Sequence, residues 1–383
     1  MNGKQVLVVA VNYTPTHDQA PSSRALYLFE EIRKRFPGAC IMMMDDGRGV
    51  EMDGLSLVRP VVPVRGGMKF AKGLLFRLQA LPSVLGFILK NNVRVVVIRG
   101  YDIAFYLPFL KLLGIRAIYD FHGLVAEGHA DEGRYLRSLF SRHFEVLMLK
   151  LSDKVLVVSE GIRKQFPWLA EKCLYLPNGM DLEKMEMARG DVEFLPGDKR
   201  SLCFIGNWEP FMRVEDMCEA MRYLEGCEGV IIGWGKDAEN YVKKYEGLSN
   251  LTFTGRLPPE AAYTILKKCD VCVLPYAGDY KYSRIPGYFC TRKALEYTVA
   301  GKPIVVADIP GKEERLADGH NCLFYRPGDP KDLADKVMAL LKDGPLCEKL
   351  RSNNEARAPS FAWGRVVESS GLLEEIASML SRR

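Results

Sequence analysis

At 383 residues the chain is long enough for two α/β domains with full cores, and 48% hydrophobic with 26% charged residues excludes a disordered or fibrous protein. No apolar run reaches the roughly 18 residues of a spanning helix, so a transmembrane protein is not expected. Residues 1–178 carry 24 Lys and Arg against 16 Asp and Glu, a net of +8, and the rest 29 against 32, a net of −3, so an anionic partner is expected for the first half.

Gln5-Val-Leu-Val-Val-Ala-Val reads as a strand buried on both faces, and Met1-Asn-Gly-Lys before it leaves no room for a signal peptide. A helix is expected from Ser22 to about Phe36, with Ser22 and Ser23 as N-caps and Arg24 in its first turn, a start that can face a phosphate. Strands at Cys40–Met44 and Leu55–Val58 precede Arg65–Lys90, where Phe70, Leu74, Phe76 and Leu81 interleave with Lys69, Lys72 and Arg77. That stretch fits an outer helix kinked or broken at Pro82, and equally a basic amphipathic helix resting on an anionic membrane.

Val93–Ile98 and Ala117–Phe121 are further buried strands, followed by Arg99-Gly100-Tyr101 and His122-Gly123. Ligands of open parallel sheets bind beyond the carboxyl ends of the strands, which puts Arg99 and His122 where chemistry is expected. A basic helix over Arg134–Leu151, a strand at Val155–Ser159 and the segment Lys172–Pro177 complete the first half. The charged stretch Asp181–Asp198, with Gly190, Pro196 and Gly197, reads as a linker.

The second half opens on two strand–glycine turns, Ser201–Gly206 and Val230–Gly235, with strands at Leu251–Gly255 and Val271–Tyr276 after them. Its central stretch is Ser283–Asp308, SRIPGYFCTRKALEYTVAGKPIVVAD. Thr291 is suited to cap a helix that Gly301 ends, and Pro303-Ile-Val-Val-Ala is a buried strand. The first-turn N–H groups behind Pro286-Gly287 would form an anion site, Lys293 adds positive charge, and Glu296 one turn on can accept from both ribose hydroxyls. The same spacing also fits a surface Lys–Glu pair on an ordinary amphipathic helix. A strand at Asn321–Tyr325, helices over Asp329–Leu341 and Pro345–Arg357, and a helix beginning at Phe361-Ala-Trp363 close the chain. Alternating strands and helices in two halves without an internal repeat give an α/β protein with two doubly wound sheets. The ten scattered cysteines read as reduced thiols in a cytosol; Cys269 and Cys272 form a lone C-x-x-C on a strand, and no D-x-D occurs.

Glu296-Tyr297, Ala300-Gly301-Lys302-Pro303 and Ile304-Val305-Val306 resemble the nucleotide-sugar signature of the GT-B glycosyltransferases, specifically glycosyltransferase family 4, and Thr291 and Lys293 fit one branch of it. Pro177-Asn178-Gly179-Met180-Asp181 is similar to the P-N-G-x-D that ends the first domain of that family. The resemblance implies the GT-B fold, two Rossmann-like domains with the active site in the cleft between them. Residues 1–181, with a returning helix over 361–383, would bind the acceptor, and residues 182–360 the nucleotide sugar. The implied activity is retaining transfer of a hexosyl or related group from a nucleoside-diphosphate sugar to a glycan, lipid-linked or small-molecule acceptor. No metal, cofactor or nucleic acid is expected, and the expected location is cytoplasmic, either free or peripheral at the inner face of the membrane.

By the same resemblance His122, Arg213 and Lys293 would be catalytic. Ser22, Ser23, Gly206, Asn207, Arg213, Gly233, Phe253, Thr291, Lys293 and Glu296 would bind the donor, and Arg24, Arg99 and Tyr288 would lie near the acceptor or sugar. Three positions depart from the common pattern: Tyr288 replaces a Glu, Asn207 replaces an Arg, and Ala20-Pro21-Ser22-Ser23 replaces a glycine pair. A catalytically silent partner subunit is the second reading on those grounds, and a GT-B sugar-nucleotide epimerase a third. A dinucleotide oxidoreductase would use Gly233-Trp234-Gly235, but G-x-G-x-x-G and its acidic partner are lacking.

Overall fold

The computed structural model describes residues 5–16, 20–59, 69–131, 133–192, 197–208, 211–235, 237–278, 292–312 and 315–382. The chain forms two compact units, Met1–Pro177 with Trp363–Arg383, and Asn178–Ala362.

The first unit begins β1 (Val6–Ala10), α1 (Ala20–Arg35), β2 (Cys40–Met44), β3 (Leu55–Val58), α2 (Lys69–Lys90), β4 (Val95–Arg99) and α3 (Leu107–Leu112). It continues β5 (Arg116–Phe121), α4 (Val125–Asp131), α5 (Tyr135–Leu151), β6 (Lys154–Val157), α6 (Glu160–Gln165) and β7 (Cys173–Tyr175). Among the described residues the strands make a seven-stranded parallel sheet, ordered β3-β2-β1-β4-β5-β6-β7. Strands β1 and β4 are buried throughout, as apolar runs covered by helices on both faces must be. Ala25, Leu28, Phe29 and Ile32 give α1 its core stripe at helical spacing. Helix α2 continues through Pro82 instead of ending there, and Phe76, Ala80, Val84 and Ile88 form a buried row at four-residue steps. The row is that of an ordinary outer helix; the side chains of Lys69 and Lys72 lie outside the described residues.

In the second unit α7 (Leu182–Met187), β8 (Arg200–Ile205), α8 (Val214–Ala220), β9 (Cys227–Ile232), α9 (Ala238–Tyr245), β10 (Leu251–Gly255) and α10 (Pro259–Lys268) come first. Then follow β11 (Val271–Leu274), α11 (Arg292–Val299), β12 (Ile304–Ala307), β13 (Leu323–Tyr325), α12 (Pro330–Lys342) and α13 (Gly344–Arg357). The described strands form a six-stranded parallel sheet, β10-β9-β8-β11-β12-β13. Asp181, Asp329 and Asp343 each accept a backbone N–H three residues on, so α7, α12 and α13 start on aspartate caps. Helix α7 lies inside Asp181–Asp198, which the sequence reads as linker. Where the chain enters and leaves this unit, Met180 N–H donates to the Phe361 carbonyl at 2.7 Å. Beyond it the chain rejoins the first unit as two helices, α14 (Trp363–Ser369) and α15 (Leu372–Ser381), separated by Gly371 at φ +72°, where one helix was expected. Trp363 stacks on Tyr27 of α1 at 5.6 Å, and Arg94 donates to the Leu380 carbonyl at 2.7 Å.

The first unit is pinned by one buried carboxylate. Asp120, at the end of β5, accepts from Arg24 Nε at 3.1 Å and Nη2 at 3.0 Å, and from Arg99 Nη1 at 2.8 Å. Arg24 also donates to the carbonyls of Leu176 (2.9 Å) and Pro177 (3.0 Å). Burial opposes ionisation of Asp120, but the guanidinium groups of Arg24 and Arg99 outweigh it and hold the carboxyl well below the usual carboxylate range. Asp120→Asn should therefore lower unfolding free energy by about 3–5 kcal/mol, the cost of leaving buried cations without their counter-ion. Urea denaturation checks this, and a loss under about 1 kcal/mol would mean that the two arginines find other partners.

Glu145 of α5 is the opposite case. Burial pushes its carboxyl up from 4.5 to about 7, against the backbone N–H groups of Ala126 and Val125 that stabilise the anion. The folded chain therefore holds one proton more than the unfolded chain between those values. Stability should fall as pH rises from about 4.5 to about 7, by up to about 3 kcal/mol, with the whole penalty present above that window. Glu145→Gln should flatten this slope in thermal melts across the window; an unchanged slope would assign it to other groups.

Candidate functional site

In both sheets the chain winds outward from the first strand and returns on its other side, so the switch points lie between β8 and β11 and between β1 and β4. Open parallel sheets take their ligands at such points, beyond the carboxyl ends of the strands.

In the second unit that edge is built on glycines. Gly206 and Gly233, just past β8 and β9, hold φ of +129° and +122°. A Cβ on Gly233 would stand 2.1 Å from the Gly206 carbonyl oxygen, and one on Gly206 2.3 Å from Cε of Lys293. Only glycine permits this approach. Gly206 N–H donates to Ile232 O at 2.9 Å and Gly233 N–H to Gly255 O at 2.8 Å, which ties the ends of three strands together. Lys293, in the first turn of α11, lies along Gly206 with its ammonium 5.8 Å above the Phe204 ring.

Glu296 lies one turn further along α11. It accepts from the Tyr263 hydroxyl at 3.1 Å and faces Arg292 at 3.7 Å. Burial and then the Glu296 carboxylate raise the Tyr263 phenol well above its ordinary value, which keeps the hydroxyl a donor. Arg292 was legible as an i,i+4 partner; Tyr263 stands 33 residues away on α10 and left no local signal.

Arg213 precedes α8, donates its N–H to Pro275 O at 2.8 Å beside the end of β11, and its Nε to Asp216 at 3.0 Å. Asp216 is buried and also accepts from the Tyr325 hydroxyl (3.2 Å) and Gly328 N–H (2.9 Å), so it orients a guanidinium that stays partly exposed. Phe253 joins an aromatic wall with Trp208, Trp234 and Tyr241, whose centroids lie 5.9, 6.2 and 5.9 Å from Trp208 in that order for Phe253, Trp234 and Tyr241. Trp208 Nε1 is buried and has no hydrogen-bond partner among the described residues. Asn207 between them is exposed. Neither tryptophan was given a role from the sequence, although Trp234 lies between Gly233 and Gly235 and Trp208 two residues past Gly206. Thr291 and Tyr288 lie outside the described residues.

The first unit corrects four expectations. Helix α1 begins at Ala20, so Ser22 and Ser23 are buried inside its first turn and do not cap it. Arg24 and Arg99 are almost wholly buried and turned onto Asp120, so their guanidinium groups position the strand ends instead of lining an open site. His122 does stand at the carboxyl end of β5, partly exposed and close enough to favour the ionised Asp120. Asn12, missed from the sequence, lies at the switch point: a Cβ on Gly100 (φ +111°) would be 2.6 Å from its Nδ2. Its Oδ1 and the Ser22 Oγ are buried polar atoms with no hydrogen-bond partner among the described residues.

A cavity of about 680 Å³ in the second unit, lined by Met185, Arg189, Lys267, Val299 and Glu355 among others, is at the amino ends of the strands and holds none of these residues. Among the described residues no group of three or more His, Cys, Asp or Glu is disposed to hold a metal ion.

Two parallel doubly wound sheets, one with a glycine-built edge beside a lysine and a held carboxylate, are the architecture of the GT-B fold. Residues 5–179 match the family described as "Glycosyl transferase 4-like domain" and residues 199–343 match "Glycosyl transferases group 1". The chain belongs to the GT-B glycosyltransferases of the family 4 type. An uncharacterised glycosyltransferase of Methanocaldococcus jannaschii is 26% identical over 62% of this chain and 64% of its own. D-inositol 3-phosphate glycosyltransferase of Nocardia farcinica is 25% identical over 54% and 47%. The matched stretch thus spans between about half and two thirds of these relatives. In fold, the chain is similar to sucrose-phosphate synthase of Thermosynechococcus elongatus, with TM-score 0.78, 16% identity, and 98% and 99% of the two chains covered. It is also similar to Anabaena HepE in complex with UDP-glucose, with TM-score 0.67, 16% identity, and 97% and 99% covered.

Gly206→Ala should displace Lys293 and lower stability by about 1–3 kcal/mol, the scale of a forced backbone conformation. Adding Lys293→Ala should recover part of that loss, because a side chain can be removed where a carbonyl cannot. Gly233→Ala, which meets the Gly206 carbonyl, should not be rescued this way. Denaturation of the single and double variants measures the coupling; additive losses would contradict the contact.

Proposed function

We propose that the chain is a retaining, metal-independent transferase that moves a sugar from a nucleoside-diphosphate sugar to an acceptor hydroxyl. The observation that carries this reading is Lys293 lying over the glycine edge of β8, one turn before Glu296 held by Tyr263. The diphosphate would meet the Gly206 and Gly233 turns and the start of α11, where backbone N–H groups and helix dipole favour an anion. Glu296 would take the ribose hydroxyls, and the aromatic wall at Trp208 and Phe253 would flank the base. Breaking the bond between the anomeric carbon and the phosphate oxygen builds charge on the leaving diphosphate, which Lys293 and Arg213 would offset. In the first unit His122 and Asn12, both partly exposed, are the groups that would meet the sugar and the acceptor. Uridine diphosphate is the first nucleotide to test, since HepE is known bound to UDP and UDP-glucose.

Glu296→Ala should weaken nucleoside-diphosphate binding by about 1–3 kcal/mol in calorimetry, the worth of lost charge-assisted hydrogen bonds. Arg213→Ala should lower kcat more than it raises the donor KM, because leaving-group charge peaks in the transition state. Wild-type chain that binds no nucleoside diphosphate would instead support the silent-partner reading.

A further inference from the structure

Helix α5 is built inside out over its first half. Tyr135, Leu136, Leu139 and Phe140 are 74, 87, 56 and 72% exposed. Spaced at i, i+1, i+4 and i+5, they share one face. The face turned inward carries Ser138, Ser141 and Glu145, all buried, and Glu145 Oε1 accepts the Ala126 N–H at 3.2 Å from α4. Ordinary outer helices show the reverse, with apolar side chains in and polar ones out. An apolar face maintained in water marks a surface that meets something else.

The charge around this face says what. Arg134, Arg137, Arg142, His143 and Lys150 are exposed, and the one acid of the helix, Glu145, is buried. Arg142 pairs with Glu127 of α4. Two copies of so basic a face would repel each other, whereas an anionic surface with an apolar interior complements both features. Helix α2, the sequence's candidate for this role, turns its four-residue row into the core and exposes Leu75, Leu78 and Leu89 at 43, 50 and 61%, less than Tyr135, Leu136 and Phe140 of α5.

We propose that the outer face of α5 docks on an anionic lipid bilayer, with Tyr135, Leu136, Leu139 and Phe140 entering the headgroup–acyl boundary and the arginines facing lipid phosphates. Because α5 follows β5, His122 and α4, its first residues lie at the carboxyl edge of the sheet, the edge that carries His122 and Asn12. Docking would bring that edge to the membrane surface, where a lipid-borne acceptor diffuses in two dimensions. The proposal deepens the transferase reading by naming the class of its acceptor.

Co-sedimentation of the full chain with vesicles tests it. Wild type should bind phosphatidylcholine–phosphatidylglycerol vesicles at low salt, less at high salt, and pure phosphatidylcholine weakly, since screening removes the electrostatic part. Leu136→Ser/Phe140→Ser should lower the partition constant at least about tenfold, while its circular dichroism and melting stay those of wild type. Wild type left in the supernatant at every salt concentration, or a double variant that binds as well as wild type, would overturn the proposal. So would a wild-type dimer in gel filtration that the double variant converts to monomer, since the face would then belong to a second copy. Vesicle binding needs neither donor nor turnover, so failure of the transferase reading would show separately, in the nucleotide titration.

Discussion

The carbonyl oxygen of Gly206 occupies the place that a side chain on Gly233 would need. That close approach lets β8 and β9 end as two adjoining turns, and the missing side chain of Gly206 leaves room for Lys293 to lie along it. A sheet covered by helices on both faces offers a ligand little but its carboxyl edge. The chemistry of this chain is therefore concentrated where strands end. The glycines create room there, α11 supplies a charge and a carboxylate, and Asp216 and Tyr263 hold Arg213 and Glu296 in place from behind.

The strands were the most legible part of the fold because buried parallel strands are short, apolar and β-branched. Cys40–Met44, Leu55–Val58 and Leu251–Gly255 have the bounds read from the sequence. Helix detail was less legible. Short α4 and α7 carry too few turns for periodicity to show, and α14 and α15 are parted only by Ser370 and Gly371. In the site, the strand-end glycines and the Lys293–Glu296 turn could be read from local spacing. The roles of Arg24 and Arg99 could not, since a basic residue at a strand end looks the same whether it faces ligand or a buried acid. Asp120 lies 96 residues from Arg24, and no pattern within one element announces that pairing.

The two units spend their charges differently. In the second, ion pairs such as Arg213–Asp216 orient groups at the edge of the sheet. In the first, the strongest buried pairs are structural: they fix β4, β5 and the Leu176–Pro177 segment to α1. The excess of positive charge there is left outside, and α5 gathers part of it around apolar side chains. Glu145 fits that arrangement: turned inward, it holds the start of α4 and keeps the only acid of α5 off the outer face.

The role proposed for the glycine edge of the second unit is to receive the diphosphate of a nucleotide sugar. Hydrogen exchange with and without saturating nucleoside diphosphate reads this directly, because amides that close on a ligand slow their exchange. Protection is expected at the Gly206 and Gly233 turns and in the first turn of α11, with little change at β1 and β4. Binding accompanied by protection elsewhere, with those three segments unchanged, would contradict the account.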